Sequence, residues 1–450
     1  MKKLRKFGII MLVAIIAVSL LYGCGAKDTE NESAAKDPAA GQESAGKEPE
    51  PEVPKAQAYG PYDFNPDHEV YEIVEANRVP WQGMYFTETW SRAHIDKAIK
   101  PNNVKDKVKV GYVTWNNSTP FFAISENHLK SLCEQWGYDF VSLCSNGDLN
   151  QQIANIENMI TMGVDVIIDC DYSVEAELPA IQRAVEAGIP VIGYGLVFPP
   201  DSPVITTSAC AYYEQGFLVG MYIADYYKDD PDLKVAAIPG MIGHPIGEST
   251  LNGFLGGFVY KRAINMGKPF PEREDAMLYG YNLHQEIVKN ARFSDPDHGW
   301  EIVQSIDGYW SQDGGLAAME TILTSHPDIE LVWTANDIEG FGAIQAMENA
   351  GYEVGKDIQI CSVGDGMRDA LQLIKEGKYL CITLASPYTY VGTCARLVYR
   401  IFSEGFDATN LTSTTYIADV LVTKDNVDEW MTDDEFTTLP DAEFITIGEY

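Results

Sequence analysis

From Val108 onward, short apolar runs alternate with longer stretches whose apolar residues recur every three or four positions. Val108–Thr114 is β-branched and apolar, which predicts a buried strand. Phe122–Trp136 sets Ile124, Leu129, Leu132 and Trp136 at helical spacing, and Gly137 supplies a residue that ends a helix by taking positive φ. The same rhythm predicts strands over 138–143, 164–169 and 188–194, with helices over 150–162 and 175–187. It then resumes with helices over 214–227, 249–263, 315–325, 340–349 and 367–376, and strands over 234–240, 329–334, 358–363 and 379–384. Strands that alternate with helices in this way predict parallel sheets covered on both faces. The fold class is therefore α/β, with two Rossmann-like lobes, one over 106–210 plus 387–418 and the other over 211–386 plus 419–450. In open parallel sheets, ligands bind in the crevice beyond the carboxyl ends of the strands.

Two regions break the rhythm. Residues 59–105 carry Tyr59, Tyr62, Phe64, Tyr71, Trp81, Tyr85, Phe86 and Trp90, more aromatic surface than an exposed segment tolerates, and read as an N-terminal arm packed on the lobes. Residues 272–300, rich in Asp and Glu, read as an insertion in the second lobe.

The N-terminus changes the picture from fold to location. Lys2, Lys3, Arg5 and Lys6 precede a run without charge from Phe7 to Gly23, the order of an export signal over residues 1–23. Leu21-Tyr22-Gly23-Cys24 resembles the lipobox of bacterial lipoproteins, although Tyr22 is bulkier than the usual residue there. The resemblance implies that Cys24 is lipidated and becomes the mature N-terminus, on the extracytoplasmic face of the cell membrane; two acyl chains suffice for stable anchoring. Residues 24–58 are polar and acidic, with too little apolar surface to offset ordering, and read as a disordered tether. A coil of that length spans roughly 30–35 Å.

Formal charge is −34. So acidic a chain is repelled by nucleic acid, which is excluded as a partner. Apart from Cys24 there are seven cysteines, at 133, 144, 170, 210, 361, 381 and 394. None stands at metal-ligand spacing, and their apolar surroundings read as small buried thiols. An odd number leaves at least one unpaired, and a Cys133–Cys144 bridge stays open on sequence alone. No G-x-S-x-G, H-E-x-x-H or dinucleotide glycine pattern occurs, so neither an enzyme nor a cofactor or metal site is expected. The seven His are scattered, and His244 reads as a solvated loop residue.

The order of motifs over Val108–Val420 resembles that of the type I periplasmic binding proteins, the ribose- and galactose-binding kind. The residues that carry the likeness include Asn116-Asn117-Ser118-Thr119-Pro120-Phe121-Phe122, Gly188-Ile189-Pro190-Val191-Ile192, Ala335-Asn336-Asp337 and Val363-Gly364-Asp365-Gly366. The resemblance implies a three-crossover hinge between the lobes and a sugar held between them, its C–H faces on aromatic rings and its hydroxyls on planar polar groups. Phe121, Phe122 and Trp310 match the family's flanking aromatics; Asn336 and Asp365 match its second-lobe amide and carboxylate. Ser386 stands where Gln is frequent, and Trp115, Asn116 and Asn117 lie on the loop after the first strand. Asp337 reads as the cap of the helix that follows it.

Two family arginines are missing. One position falls at Gly195-Leu196, after Tyr194, and the other at Thr250, near Glu248. Tyr194, Glu248 and Thr250 are accordingly candidate replacements, and ribose itself is disfavoured. What the resemblance implies is a monomeric solute-binding component that delivers a small polar ligand, sugar foremost, to the permease of an ABC transporter. No Walker A pattern occurs, so ATP hydrolysis belongs to another subunit. The alternatives are presentation of the ligand to a membrane receptor kinase, and an amino acid, nucleoside or signalling molecule as ligand.

Overall fold

The computed structural model describes residues 65, 67–84, 104–199 and 201–444. The export signal, Cys24, the tether and much of the arm lie outside these residues. The described part of the arm holds α1 (Val70–Ala76) and a 3-10 turn at Val79–Trp81. Lobe I then runs through β1 (Lys109–Thr114), α2 (Pro120–Gln135), β2 (Asp139–Cys144), α3 (Leu149–Thr161), β3 (Val166–Cys170), α4 (Val174–Glu186), β4 (Val191–Tyr194) and β5 (Thr207–Ala209). Lobe II takes α5 (Tyr212–Tyr226), β6 (Leu233–Ile238), α6 (Pro245–Asn265), α7 (Arg273–Asn290), β7 (Phe293–Asp295), β8 (Trp300–Ser305), α8 (Gln312–Ser325), β9 (Leu331–Thr334), α9 (Asp337–Asn349), β10 (Gln359–Ser362), α10 (Arg368–Glu376) and β11 (Cys381–Thr383). The chain returns through α11 (Pro387–Ser403) and β12 (Thr414–Tyr416) to lobe I, and crosses again to β13 (Leu421–Thr423).

The first sheet has the order β12-β5-β4-β3-β1-β2, all parallel. The second has the order β13-β11-β10-β9-β6-β8-β7, antiparallel only at its two edges. The chain passes between the sheets at 210–211, 384–386 and 417–420. Central strands β3, β4 and β9 are buried at every position, because helices cover both faces. Proline opens α2, α6 and α11, where its missing N–H is harmless. Asp148 caps α3 by accepting from the N–H groups of Asn150 and Gln151. Helices α5 and α6 touch backbone to backbone: a methyl on Gly253 would lie 2.0 Å from the Tyr213 carbonyl oxygen.

The stretch 272–300 is more regular than the sequence reading implied. It forms α7, the hairpin strand β7 and the start of β8. Its helix begins with a capping box in which Glu272 and Asp275 exchange bonds with each other's backbone. The acidic residues serve that cap and the arm: Glu274 accepts from Asn65 N at 2.8 Å and from the Tyr71 hydroxyl at 3.0 Å. All seven described cysteines are free thiols, so Cys133 and Cys144 are not bridged. Among the described residues no helix is long and apolar enough to cross a membrane.

Two segments outside the sheets tie the lobes together. In the arm, Trp81 is buried between Tyr213 and Tyr281 of lobe II. The next residue, Gln82, donates its N–H to Ser249 Oγ of lobe II at 2.9 Å, while its Oε1 accepts from Val197 N of lobe I at 3.3 Å. At the other end, the tail bonds lobe II through Arg368 N to Glu435 O and Thr437 N to Gly366 O, both 2.9 Å. It then reaches lobe I, where Leu439 N donates to Thr389 Oγ1 at 3.0 Å. Buried Phe436 meets Phe121 of α2 edge-on, with ring centroids 6.0 Å apart.

Candidate functional site

The carboxyl ends of both sheets face the junction of the lobes, and Ile246, in the first turn of α6, packs on the lobe I core. On the lobe I side an aromatic group grows from β1 and α2. Trp115 follows β1 and lies 5.2 Å from the rings of both Phe122 and Tyr172; Phe121 stands 5.3 Å from Phe122 and 6.0 Å from Tyr390. Trp115, Phe121 and Phe122 are half-buried. Asn116 makes a local turn, its Oδ1 accepting from Ser118 N at 2.8 Å. Asn117 donates its amide to the Glu126 carboxylate, which leaves its buried Oδ1 without a hydrogen bond.

Two further groups stand at the ends of β3 and β4. Asp171 is 5% exposed; Oδ1 accepts from Leu196 N at 3.2 Å, and Oδ2 has no hydrogen-bond partner. Burial, then the neighbouring Glu177 charge, pushes its carboxyl well above the ordinary range. Tyr194 takes a different place from the one its sequence position suggested. It is 2% exposed, with its hydroxyl 2.6 Å from Ser125 Oγ and its ring between Tyr112 and Tyr390. Strand alternation turns it into the lobe I core.

Lobe II contributes the ends of β6, β8, β9 and β10. Trp310 is half-buried and lies flat on Gly240, whose hydrogen faces the indole; its ring centroid is 4.6 Å from that of His244. His244 is no solvated loop residue. Its Nδ1 accepts from Ile246 N at 3.3 Å to cap α6, and burial lowers its pKa to about 4, so the ring is neutral. Asn336 caps α9, with Oδ1 accepting from Glu339 N at 3.0 Å. Burial first, then the Asp337 and Glu339 charges, raises the Asp365 carboxyl. Asp337 does not cap the helix. It knits the loop after β10, accepting from Asp365 N at 3.1 Å and Met367 N at 2.9 Å. Ser386 is fully buried at the second crossover, and its hydroxyl has no hydrogen-bond partner.

The two lobe II replacements offered for the missing arginines face elsewhere. Thr250 is fully buried and donates its hydroxyl to Ile246 O at 2.8 Å, one turn back on its own helix. Its position on α6 faces α5, where a methyl on Gly216 would stand 2.1 Å from the Thr250 carbonyl oxygen. Glu248 accepts from Gly243 N at 2.8 Å and pairs with buried His284 at 3.0 Å. Burial works against its charge, yet His284 holds the carboxylate below its ordinary value. Asp171, Tyr172 and Glu339 were passed over in the sequence because no periodicity or motif singles them out.

The strand ends thus gather Trp115, Phe121, Phe122 and Trp310 with Asn116, Asn117, Asn336, Asp365 and Ser386, and leave Tyr194, Glu248 and Thr250 in the lobe interiors. The segments 115–118, 171–173, 195–197, 239–244, 306–310, 335–337, 363–367 and 384–386 contain no Lys or Arg. These segments offer apolar ring faces and hydrogen-bond acceptors, and bring no basic side chain of their own. Among the described residues no three His, Cys, Asp or Glu are grouped to hold a metal ion.

A family model described as periplasmic binding protein domain matches residues 110–405. The ribose import binding protein RbsB of Bacillus subtilis is 26% identical over 298 residues, covering 66% of this chain and 82% of that protein. A solute binding protein from Actinobacillus succinogenes, solved with bound D-allose, superposes with a TM-score of 0.56 at 22% identity, covering 72% of this chain and 100% of the other. The Caulobacter myo-inositol binding protein, bound to myo-inositol, gives 0.57 at 18% identity, covering 72% and 95%.

Proposed function

This chain belongs to the periplasmic binding protein family, and from that premise we propose that it captures a neutral polyhydroxylated solute, a sugar foremost, between its lobes and presents it to an ABC permease while anchored outside the cell through Cys24. The observation that carries the ligand class is the make-up of the strand ends: aromatic rings from both lobes, Trp115 with Phe122 on one and Trp310 on the other, beside acceptors in segments that carry no basic residue. Sugar C–H faces stack on such rings, and sugar hydroxyls donate to carboxylates and amide oxygens. An amino acid or a phosphate ester brings an anionic group that needs Arg, Lys or a helix N-terminus. The strand-end segments hold no basic residue, and the helices α6 and α9 that begin there are already capped by His244 and Asn336, which favours neutral ligands.

The motion follows from three crossovers. A ligand touching both lobes binds the closed arrangement better than the open one, and that differential affinity is what shifts the population. A permease then reads the closed surface.

The test is a thermal-shift screen of the protein from residue 25 onward against pentoses, hexoses, inositols, nucleosides and amino acids. A ligand at 100 times its dissociation constant adds about 2.7 kcal/mol of stability. A sugar or inositol shift that disappears in Trp310→Ala and Asp365→Ala supports both ligand class and site. A shift with an amino acid alone refutes the ligand class. Incorporation of labelled palmitate, lost in Cys24→Ala, tests the anchor.

A further inference from the structure

We propose that Glu339 is a positioning residue for ligand recognition: it holds the left-handed Tyr309–Trp310 turn and so fixes where the Trp310 ring stands. The proposal rests on the reading of the strand ends as the ligand site.

The observation behind it is a backbone anomaly. Tyr309 and Trp310 are consecutive non-glycine residues with φ of 55° and 48°. L side chains rarely adopt that region, and two bulky aromatics in succession require the surroundings to hold them there. Two bonds do so. Tyr309 N donates to Gly240 O at 2.8 Å, and Trp310 N donates to Glu339 Oε1 at 2.7 Å.

Glu339 itself is fully buried in the first turn of α9. Its Oε2 accepts from Ala335 N at 3.3 Å. One side chain therefore gathers amides from the ends of β8 and β9. Among the described residues no ion pair involves it, and its partners are backbone N–H groups. The chain closes tightly around it: a methyl on Gly308 would lie 2.6 Å from Glu339 Oε1, and one on Gly315 would lie 2.2 Å from the Glu339 carbonyl oxygen. Those two glycines make the room that lets the carboxylate reach Trp310 N.

The consequence runs through geometry. Trp310 has little freedom because its indole rests on Gly240 and against His244. A shift of its amide moves the ring off that seat. Stacking on a sugar face depends on ring placement, so a residue that touches no ligand sets the affinity.

The test needs no ligand for its main readout. The protein is labelled with fluorotryptophan and examined by fluorine NMR, with the Trp310 signal assigned through Trp310→Phe. Above pH 8, where the wild-type carboxyl is ionised, Glu339→Gln replaces one acceptor oxygen by an NH2 donor, and the Trp310 signal moves or splits while those of Trp300 and Trp333, deep in lobe II, hold. Glu339→Asp, which withdraws the carboxylate by one methylene, gives the same result and serves if the Gln variant does not fold. An unmoved Trp310 signal in either folded variant overturns the proposal. Failure of both to fold overturns it too, since Glu339 would then support the lobe as a whole. D-allose and myo-inositol are the affinity probes. If one binds, Glu339→Gln weakens it roughly tenfold, and the double variant with Trp310→Ala is no weaker than Trp310→Ala alone. Additive losses overturn the positioning role. Absence of binding by any sugar bears on the proposed function and leaves the fluorine result to decide this one.

Discussion

Gly240→Ala is the sharpest perturbation of the lobe II wall that adds or removes no polar group. The residue has φ of +65°, and a methyl built on it would stand 2.4 Å from Trp310 Cε2 and 2.6 Å from Nε1. Two costs follow. An L residue in the left-handed region costs about 1–2 kcal/mol. Carbon atoms pack at roughly 3.5–4.0 Å, so the indole must retreat by about 1 Å or more, an overpacking worth about 1–3 kcal/mol. The single variant should therefore lose about 2–5 kcal/mol of stability. Trp310→Ala alone removes a half-buried ring and should lose less than the ~3–5 kcal/mol of a fully buried one. In the double variant the overpacking vanishes, because no ring remains to be struck, while the backbone strain stays. The combined loss should fall short of the sum of the singles by about 1–3 kcal/mol. Urea unfolding of the wild type, the two singles and the double measures this directly. Losses that add to within about 0.5 kcal/mol would refute the packing of Trp310 on Gly240, because residues in contact should couple.

Burial pushes the Glu339 carboxyl up to about 8, so between its unfolded value and that point the folded chain keeps a proton that the unfolded chain has released. Its contribution to stability is thus fully present below the unfolded pKa and is lost as pH rises through the folded one; Glu339→Gln should remove this loss, a difference from wild type that grows between about pH 5 and 8 by up to a few kcal/mol, measured by urea unfolding across that range. Gly253→Ala should destabilise lobe II by about 2 kcal/mol or more despite the helical preference of Ala, because its methyl meets the rigid Tyr213 carbonyl; a melt at or above wild type refutes the α5–α6 contact. Phe436→Ala should cost about 3–4 kcal/mol and speed hydrogen exchange at Thr437 and Leu439, and unchanged exchange there would show that the tail does not depend on this ring.

The strand–helix rhythm was legible because central strands hold apolar runs such as Val166–Ile168 and Leu331–Trp333, and many helices end on a glycine. What escaped has identifiable causes. Strands β5, β12 and β13 are three residues each, too short to show a period. Helix α7 hides its buried face because that face includes Glu274 and His284, whose partners, Tyr71 and Glu248, lie far away in sequence. Thr250 stands where the resemblance expects an arginine, but α6 begins at Pro245 and turns Thr250 toward α5. Asn336 and Asp337 are neighbours with opposite tasks, one capping the helix and the other holding the next loop, and no local pattern separates them.

The arm and the tail matter for how the lobes move. Opening a three-crossover hinge requires changes in a few backbone angles at 210–211, 384–386 and 417–420. Here it also has to break or carry along contacts outside the hinge: Val197 N on Gln82 at one place, Leu439 N on Thr389 and Phe436 on Phe121 at another. Gln82 holds lobe II through Ser249 and Tyr213, and the tail holds it through Gly366 and Arg368. Around Gln82 the bonds to lobe II, through Ser249 and Tyr213, outnumber the one from Val197 of lobe I, and the Val197 side is the one to yield. Gly366 and Asp365 are adjacent, so the tail's bond to lobe II abuts the carboxylate that the ligand is proposed to meet. The tail is thus seated on the residue next to that carboxylate, through the Gly366 carbonyl.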